Sequence, residues 1–165
     1  MSAERCDECG FNSEAWTDDA AIEAISQVGT RWAEAIAGLP SEALQRRPIS
    51  DMWSIAEYTD HVREVLFGMR LVLDSAVANP GIDLGPAPEP EFTTVPRLID
   101  PQTALGGVTR EASALRDRLR ELPGGSWSAT AIIGEDEVDV HWICGHAVHD
   151  ADHHQGDVRR LRAAL

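Results

Sequence analysis

The sequence His149-Asp-Ala-Asp-His-His-Gln-Gly-Asp157 contains three of the chain's six histidines together with three acidic residues. Apolar periodicity predicts that it lies in a long final helix that begins at about Asp136. His141 and His146 belong to the same predicted helix. Five histidines in one helix indicate a metal site. The alternative interpretation is a polar, solvated helix end in an acidic protein.

The angular spacing of helical residues sorts these side chains. Because a helix turns by about 100° per residue, His154 falls at the centre of the apolar face and Asp150 lies one turn earlier on the same face. Two ligands one turn apart can bind one cation. His149 and His153 form a second pair with i, i+4 spacing, but they fall toward the edge of that face. A buried hydrogen bond between Asp150 and His154 is the alternative to a metal site.

A further histidine, His61, is expected on the core-facing side of the second long helix, which the sequence predicts from Ser54 to about Asn79. A buried histidine is often simply hydrogen-bonded. If His61 instead joins Asp150 and His154, three ligands from two helices leave coordination positions open for water or substrate. This arrangement is typical of catalytic rather than structural metal sites.

The spacing of apolar residues predicts four long helices and therefore an all-α fold, a four-helix bundle. Residues 80–100 contain five prolines, which predicts a long loop, and residues 129–133 fit a short strand or an extended segment. We expect residues 1–16 to form an N-terminal arm and residues 17–165 to form the bundle. The helices are expected at residues 17–39, 54–79, 100–122 and 136–165.

The overall charge excludes some classes of partner. A formal net charge of -14 argues against binding to nucleic acids, whose phosphates require a basic surface, and against an anionic membrane surface. No apolar stretch is long enough to span a bilayer, and the polar N-terminus does not resemble a secretory signal. We therefore expect a cytoplasmic protein with a small-molecule substrate. A homodimer is compatible with a helical bundle, but the sequence does not specify one.

The arm contains the sequence Cys6-Asp-Glu-Cys9-Gly10. Two thiolates at this spacing can bind one side of a zinc ion, but a structural zinc site needs four ligands, and no second Cys-x-x-Cys pair follows. The alternatives are a redox pair, half of a site shared between subunits, or two inert thiols. Cys6 and Cys9 are therefore candidates for a separate metal or redox site.

Two segments resemble motifs of the DinB-like superfamily, which includes mycothiol-dependent maleylpyruvate isomerases and other thiol transferases. Trp53-Ser-Ile-Ala-Glu-Tyr-Thr-Asp-His-Val62 is similar to the family's Trp-Ser/Thr…Glu-x-x-x-His motif on the second helix. Asp150-Ala-Asp-His-His-Gln-Gly-Asp-Val158 is similar to its final histidine-rich segment. The resemblance covers residues 17–165 and implies a DinB-like four-helix bundle, and the two cysteines of the arm lie outside it.

The resemblance implies that His61, Asp150 and His154 are the metal ligands. The sequence departs from the family at Asp150, where many members have histidine and the isomerases have glutamate. Because aspartate is one methylene shorter than glutamate, His149 and His153 are the alternative ligands. Glu57 and Asp157 are the expected outer residues that orient the ligands, with Glu57 bonded to an imidazole.

The resemblance implies a metal-dependent enzyme of the thiol transferase type. A divalent cation, zinc or nickel by the type of ligand, would activate a thiol or water against a small electrophile. A low-molecular-weight thiol such as mycothiol is the expected cosubstrate. The alternative is a non-catalytic bundle that binds a metal or a partner.

Overall fold

The computed structural model of the protein describes residues 4–87 and 92–165, and within these ranges four long helices form the body of the molecule. This is the predicted all-α four-helix bundle, with a small sheet added at one end. The part of the proline-rich loop at residues 88–91 lies outside the described residues. The helices are α1 (Asp18–Ile36), the five-residue α2 (Ser41–Gln45), α3 (Ile55–Ala78), α4 (Pro101–Arg120) and α5 (Val140–Ala164).

Side-chain caps define where each long helix begins. Thr17 accepts a hydrogen bond from the Ala20 N–H. Asp100, which immediately precedes the proline that opens α4, accepts one from the Thr103 N–H. Ser54 and Glu57 form a reciprocal capping box at the start of α3. Such caps satisfy backbone N–H groups that have no partner inside the helix, which explains why these helix starts were readable from the sequence.

The packing order of the helices places α3 beside α5. Helix α1 packs against α4 and α5, and α3 also packs against α4 and α5. The core between them is fully buried and contains Trp32, Leu66, Leu115 and Leu161. No helix in the described part of the chain is both long and apolar enough to cross a membrane. The neighbouring positions of α3 and α5 bring their polar inward-facing residues together.

A small sheet corrects two of the sequence predictions. The final helix begins at Val140 and not at about Asp136, because residues 136–139 form β3 (Asp136–Asp139), antiparallel to β2 (Thr130–Ile133). Gly134 has φ 63°, which suits the first residue of a two-residue hairpin turn. The predicted loop after α3 contributes β1 (Ile82–Asp83), which pairs in parallel with β2. The expected strand at residues 129–133 is therefore confirmed, but it has two partners that local periodicity did not indicate.

The described part of the N-terminal arm packs against the bundle. Arg5 and Asn12 form an isolated bridge, and a short 3-10 helix covers Ser13–Ala15. The Phe11 side chain is 9% exposed, belongs to the main hydrophobic core, and stacks on His149 of α5 with ring centroids 4.7 Å apart. The arm is thus held against the last helix.

Glu57 is fully buried at the start of α3. Its carboxylate accepts hydrogen bonds from Arg47 Nε at 2.8 Å, from the Arg97 N–H at 2.9 Å and from the Ser54 N–H at 2.8 Å. Burial alone would raise the pKa of Glu57, but the hydrogen bonds from Arg47, Arg97 and Ser54 lower it to about 2. The ionised carboxylate therefore ties the start of α3 to the chain segments on either side of it.

We expect Glu57→Gln to lower the free energy of unfolding by about 3 kcal/mol at pH 7. Glutamine keeps the shape of the side chain and the capping role but loses the charge. Because the folded pKa is lowered, the stabilisation by charge is complete above pH 4.5, the ordinary value, and is lost as the pH falls toward 2. Urea unfolding at a series of pH values should therefore show the two proteins converging in acid.

Glu64→Gln is the matched control for this experiment, since Glu64 lies on the same helix with its side chain 50% exposed. It should change stability by less than about 0.5 kcal/mol. A difference between wild type and Glu57→Gln that stays constant with pH would show that packing, and not charge, accounts for the effect.

Candidate metal centre

Helices α3 and α5 bring His61, Asp150 and His154 together. His61 Nε2 lies 3.4 Å from Asp150 Oδ1, and His154 Nε2 lies 3.5 Å from the same oxygen. The two imidazole rings are close to perpendicular, with centroids 5.0 Å apart. One ligand atom from each residue lies within 4.8 Å of the other two. The three residues that the resemblance implied as ligands therefore converge on one point.

The carboxylate of Asp150 is buried between the two imidazoles. Its side chain is 14% exposed, and Oδ2 is buried without a hydrogen-bond partner among the described residues. Burial alone would raise the pKa of Asp150, but the hydrogen bonds and charges of His154 and His61 lower it. Burial likewise opposes protonation of His154, yet Asp150 and Asp157 raise its pKa to about 9. The pair of helices thus holds an ionised carboxylate with one oxygen still available.

Asp157 lies beside His154 and contacts its ring. Its Oδ2 lies 2.7 Å from His154 Nδ1, and Arg160 binds its other oxygen. A proton held at Nδ1 by this contact leaves Nε2 free to face Asp150. A carboxylate behind a histidine in this way fixes its tautomer and ring orientation in many metal sites.

Glu57 does not have the expected role of orienting an imidazole. In the described residues its hydrogen bonds go to Arg47, Ser54 and Arg97, none of which is a histidine. The buried carboxylate instead pairs with the Arg47 guanidinium and caps the first turn of α3 through the Ser54 N–H. Its conspicuous position four residues before His61 has a structural explanation.

Trp53 and Tyr58 form walls around the imidazoles without closing the site. The Trp53 ring lies 5.2 Å from the His61 ring, and the Tyr58 ring lies 4.9 Å from the His154 ring. Burial and the charge of Asp157 raise the pKa of the Tyr58 hydroxyl to about 12. Both aromatic side chains pack against the histidine rings and so restrict their rotation.

A cleft of about 890 Å³ opens above the three residues. One wall comes from α3 and another from the described parts of the predicted loop, including Leu84, Pro86 and Arg97. The described residues of this loop therefore help to shape the cleft. His146 also lines the cleft; its Nδ1 lies 2.9 Å from Glu4 Oε1. The sequence could not predict that Glu4 holds His146 in the cleft wall, because the two residues are 142 positions apart.

The other candidate ligands, His149 and His153, do not converge on the point shared by His61 and Asp150, although His153 also groups with His154 and Asp157. Their ligand atoms group with Cys6 and Cys9 of the arm, within 4.8 Å of one another. His141 is exposed and pairs with Asp18 at the start of α1. Thus the structure separates the five histidines of α5 by the direction in which each one points.

The residues at the floor of the cleft fit a divalent metal ion. Two imidazoles and a carboxylate are a common set of three protein ligands, and an open side toward a cleft leaves coordination positions for water or substrate. The buried Asp150 Oδ2 without a partner is a second indication, since an unpaired polar atom of this kind is costly. A cation at this point would satisfy it.

Comparison with known proteins places the chain in a family. The sequence model of the DinB superfamily matches residues 24–158, so the chain belongs to the DinB superfamily. The structure is similar to that of YfiT from Bacillus subtilis, described as a probable metal-dependent hydrolase with an unusual four-helix bundle topology. The similarity has a TM-score of 0.76 at 12% sequence identity and covers 91% of this chain and 90% of that one. No functionally curated protein matches significantly.

We expect Asp157→Ala to weaken divalent metal binding at the floor of the cleft by roughly 10- to 100-fold, because outer carboxylates that orient histidine ligands contribute about this much. Asp157→Asn should lose less, since its amide oxygen can still accept the Nδ1 proton. Isothermal titration of the metal-free protein with zinc would measure both affinities. Equal affinities in all three proteins would show that the contact between Asp157 and His154 does not contribute to metal binding.

Proposed function

We propose that this protein is a metal-dependent enzyme in which His61, Asp150 and His154 hold one divalent cation at the floor of the cleft. The observation that supports this most directly is the convergence of three ligand atoms, one of them on a carboxylate with a free buried oxygen, below an open cavity. Zinc and nickel are the favoured ions, because imidazole ligands suit both. When bound, such an ion would lower the pKa of a thiol or water, or polarise an electrophile.

The protein's own residues prepare the site for this chemistry. Asp157 keeps the proton of His154 on Nδ1 and so directs Nε2 toward the shared point. Trp53 and Tyr58 hold the two rings in place from outside. Ligands that are already oriented lose little entropy when they bind, and this preorganisation is what a catalytic site requires.

The walls of the cleft favour a small, partly apolar substrate. Val65, Met69 and Val72 of α3 line one side, while Glu64 and Arg97 add charged groups. A volume of about 890 Å³ is within the range typical of small-molecule sites. The cleft could therefore hold an electrophile together with a low-molecular-weight thiol.

Two nucleophiles fit this proposal. The resemblance to thiol transferases supports a thiol cosubstrate such as mycothiol, and the description of YfiT as a probable hydrolase supports water. We favour the thiol. A cytoplasmic location is part of the proposal, since all three cysteines are free and low-molecular-weight thiols keep that compartment reducing.

A second candidate function is a non-catalytic bundle that binds a partner. Phe67 and Leu71, one turn apart on α3, are 41% and 46% exposed, and exposed apolar side chains are favoured at protein interfaces. This reading would keep the metal site but give it no substrate. A second copy of the chain is one such partner.

The metal ligands are tested by measuring metal content and affinity in purified wild type, His61→Ala and His154→Ala. Each variant should lose one equivalent of divalent metal, with a fall in affinity larger than the roughly 10- to 100-fold effect expected for an outer carboxylate. His141→Ala is the matched control, because His141 lies on α5 but is exposed and paired with Asp18. Equal metal content in all four proteins would refute the proposed ligands.

Activity is tested separately with the zinc- or nickel-loaded protein. We expect consumption of at least one low-molecular-weight thiol in the presence of 1-chloro-2,4-dinitrobenzene or a panel of other small electrophiles, and we expect it to disappear in His154→Ala. Release of p-nitrophenol from activated esters without thiol would favour the hydrolase. A filled site with neither reaction would favour the non-catalytic bundle.

A further inference from the structure

We propose that Cys6, Cys9, His149 and His153 form a second metal site, a closed four-ligand zinc site that joins the N-terminal arm to α5. One ligand atom from each of the four residues lies within 4.8 Å of the other three. Two cysteines and two histidines are a frequent ligand set for structural zinc, and four protein ligands complete its tetrahedral coordination. This site is separate from the three-ligand cluster at the floor of the cleft.

The arm presents its two sulfurs from one tight turn. The Gly10 N–H donates to the Cys6 carbonyl at 2.9 Å, and Gly10 has φ 76°, a conformation that favours glycine. The Cys6 N–H donates in turn to the Phe11 carbonyl at 3.0 Å. The turn thus places both sulfur atoms within 4.8 Å of each other and of a ring nitrogen of His149 and of His153.

Helix α5 supplies the two imidazoles from one face. Cys6 Sγ lies 3.6 Å from His153 Nδ1. Zinc bonds of about 2.3 Å to sulfur and about 2.0 Å to nitrogen at tetrahedral angles require a separation of about 3.5 Å between these atoms. The sulfur and the nitrogen are therefore already at the spacing that a shared zinc ion would impose.

His149 is oriented in the same way as many zinc-binding histidines. Its Nδ1 lies 2.6 Å from Glu4 Oε1, while its Nε2 is buried and has no hydrogen-bond partner among the described residues. A carboxylate on one ring nitrogen directs the other nitrogen at the metal. Glu4 is thus the orienting residue, and the unpartnered Nε2 is the atom that would bind.

A different group of three residues near the arm is a less suitable zinc site. Glu4, His146 and His149 are close enough to hold an ion by themselves, but that set would use His149 Nδ1 and leave the two thiols without a role. Zinc favours a set that includes thiolate sulfur. With Cys6 and Cys9 as ligands, Glu4 remains free to hold both His146 and His149.

The test uses the full-length protein, reduced, stripped of metal and titrated with Co²⁺, whose bonds to thiolate give a charge-transfer absorption in the near ultraviolet. Wild type should show this band, and the double variant Cys6→Ser/Cys9→Ser should lose it together with one equivalent of metal. Glu4→Gln should keep the band at roughly 10- to 100-fold lower affinity. His61→Ala and His141→Ala should keep it unchanged, which separates this site from the one in the cleft.

Protection of the thiols gives a second measurement that needs no variant. Zinc should slow alkylation of Cys6 and Cys9 by iodoacetamide at least tenfold, and a chelator should reverse the effect, with buried Cys144 as the internal reference. Alkylation that is equally fast with and without zinc would overturn the proposal. So would a cobalt band that persists in the double cysteine variant, or reduced thiols that bind no metal and are only oxidised to a disulfide in air.

Discussion

The carboxylate of Asp150 lies buried between imidazoles from two different helices, and the arrangement of the bundle depends on satisfying it. An isolated carboxylate in this position would be strongly destabilising. His61 on α3 and His154 on α5 each place Nε2 within 3.5 Å of Asp150 Oδ1. The two helices must therefore pack as neighbours with a fixed rotation and register, because a small shift of either would leave the charge without a partner.

The same carboxylate belongs to a chain of alternating charges along α5. Arg160 binds Asp157, Asp157 binds His154, and His154 faces Asp150. Without a cation, a proton on His154 compensates both acids, and the raised pKa of His154, to about 9, reflects that. Since a histidine that binds a metal must give up this proton, proton and cation are alternative ways to stabilise one buried network.

The sequence predicts the direction of a side chain well where a regular helix determines it. The positions of Asp150 and His154 follow from a periodicity that the long α5 obeys, and His61 from the apolar stripe of α3. Prediction fails where a residue's partner comes from elsewhere in the chain. Helical angles could not show that Arg47, in the connector before α3, takes the Glu57 carboxylate. They also merged β3 into the next helix, since a four-residue strand is defined by pairing with β2 more than by its own pattern.

The two cysteines illustrate the same limit and lead to the last step. Their spacing indicated half a zinc site, and the missing half was sought as another cysteine pair. The nearest partners are His149 and His153, which had been assigned to the edge of a different site. His149 and His153 each precede one residue of the pair Asp150 and His154 by one position. Successive residues point about 100° apart around the helix axis. A single helix can therefore present two ligand pairs in different directions.

The pair below the cleft has an open side and suits chemistry, while the pair under the arm meets two thiols that close the set and suits structure. Because Glu4 binds both His149 and His146, and His146 lines the cleft, closing the second site would also fix one wall of the first.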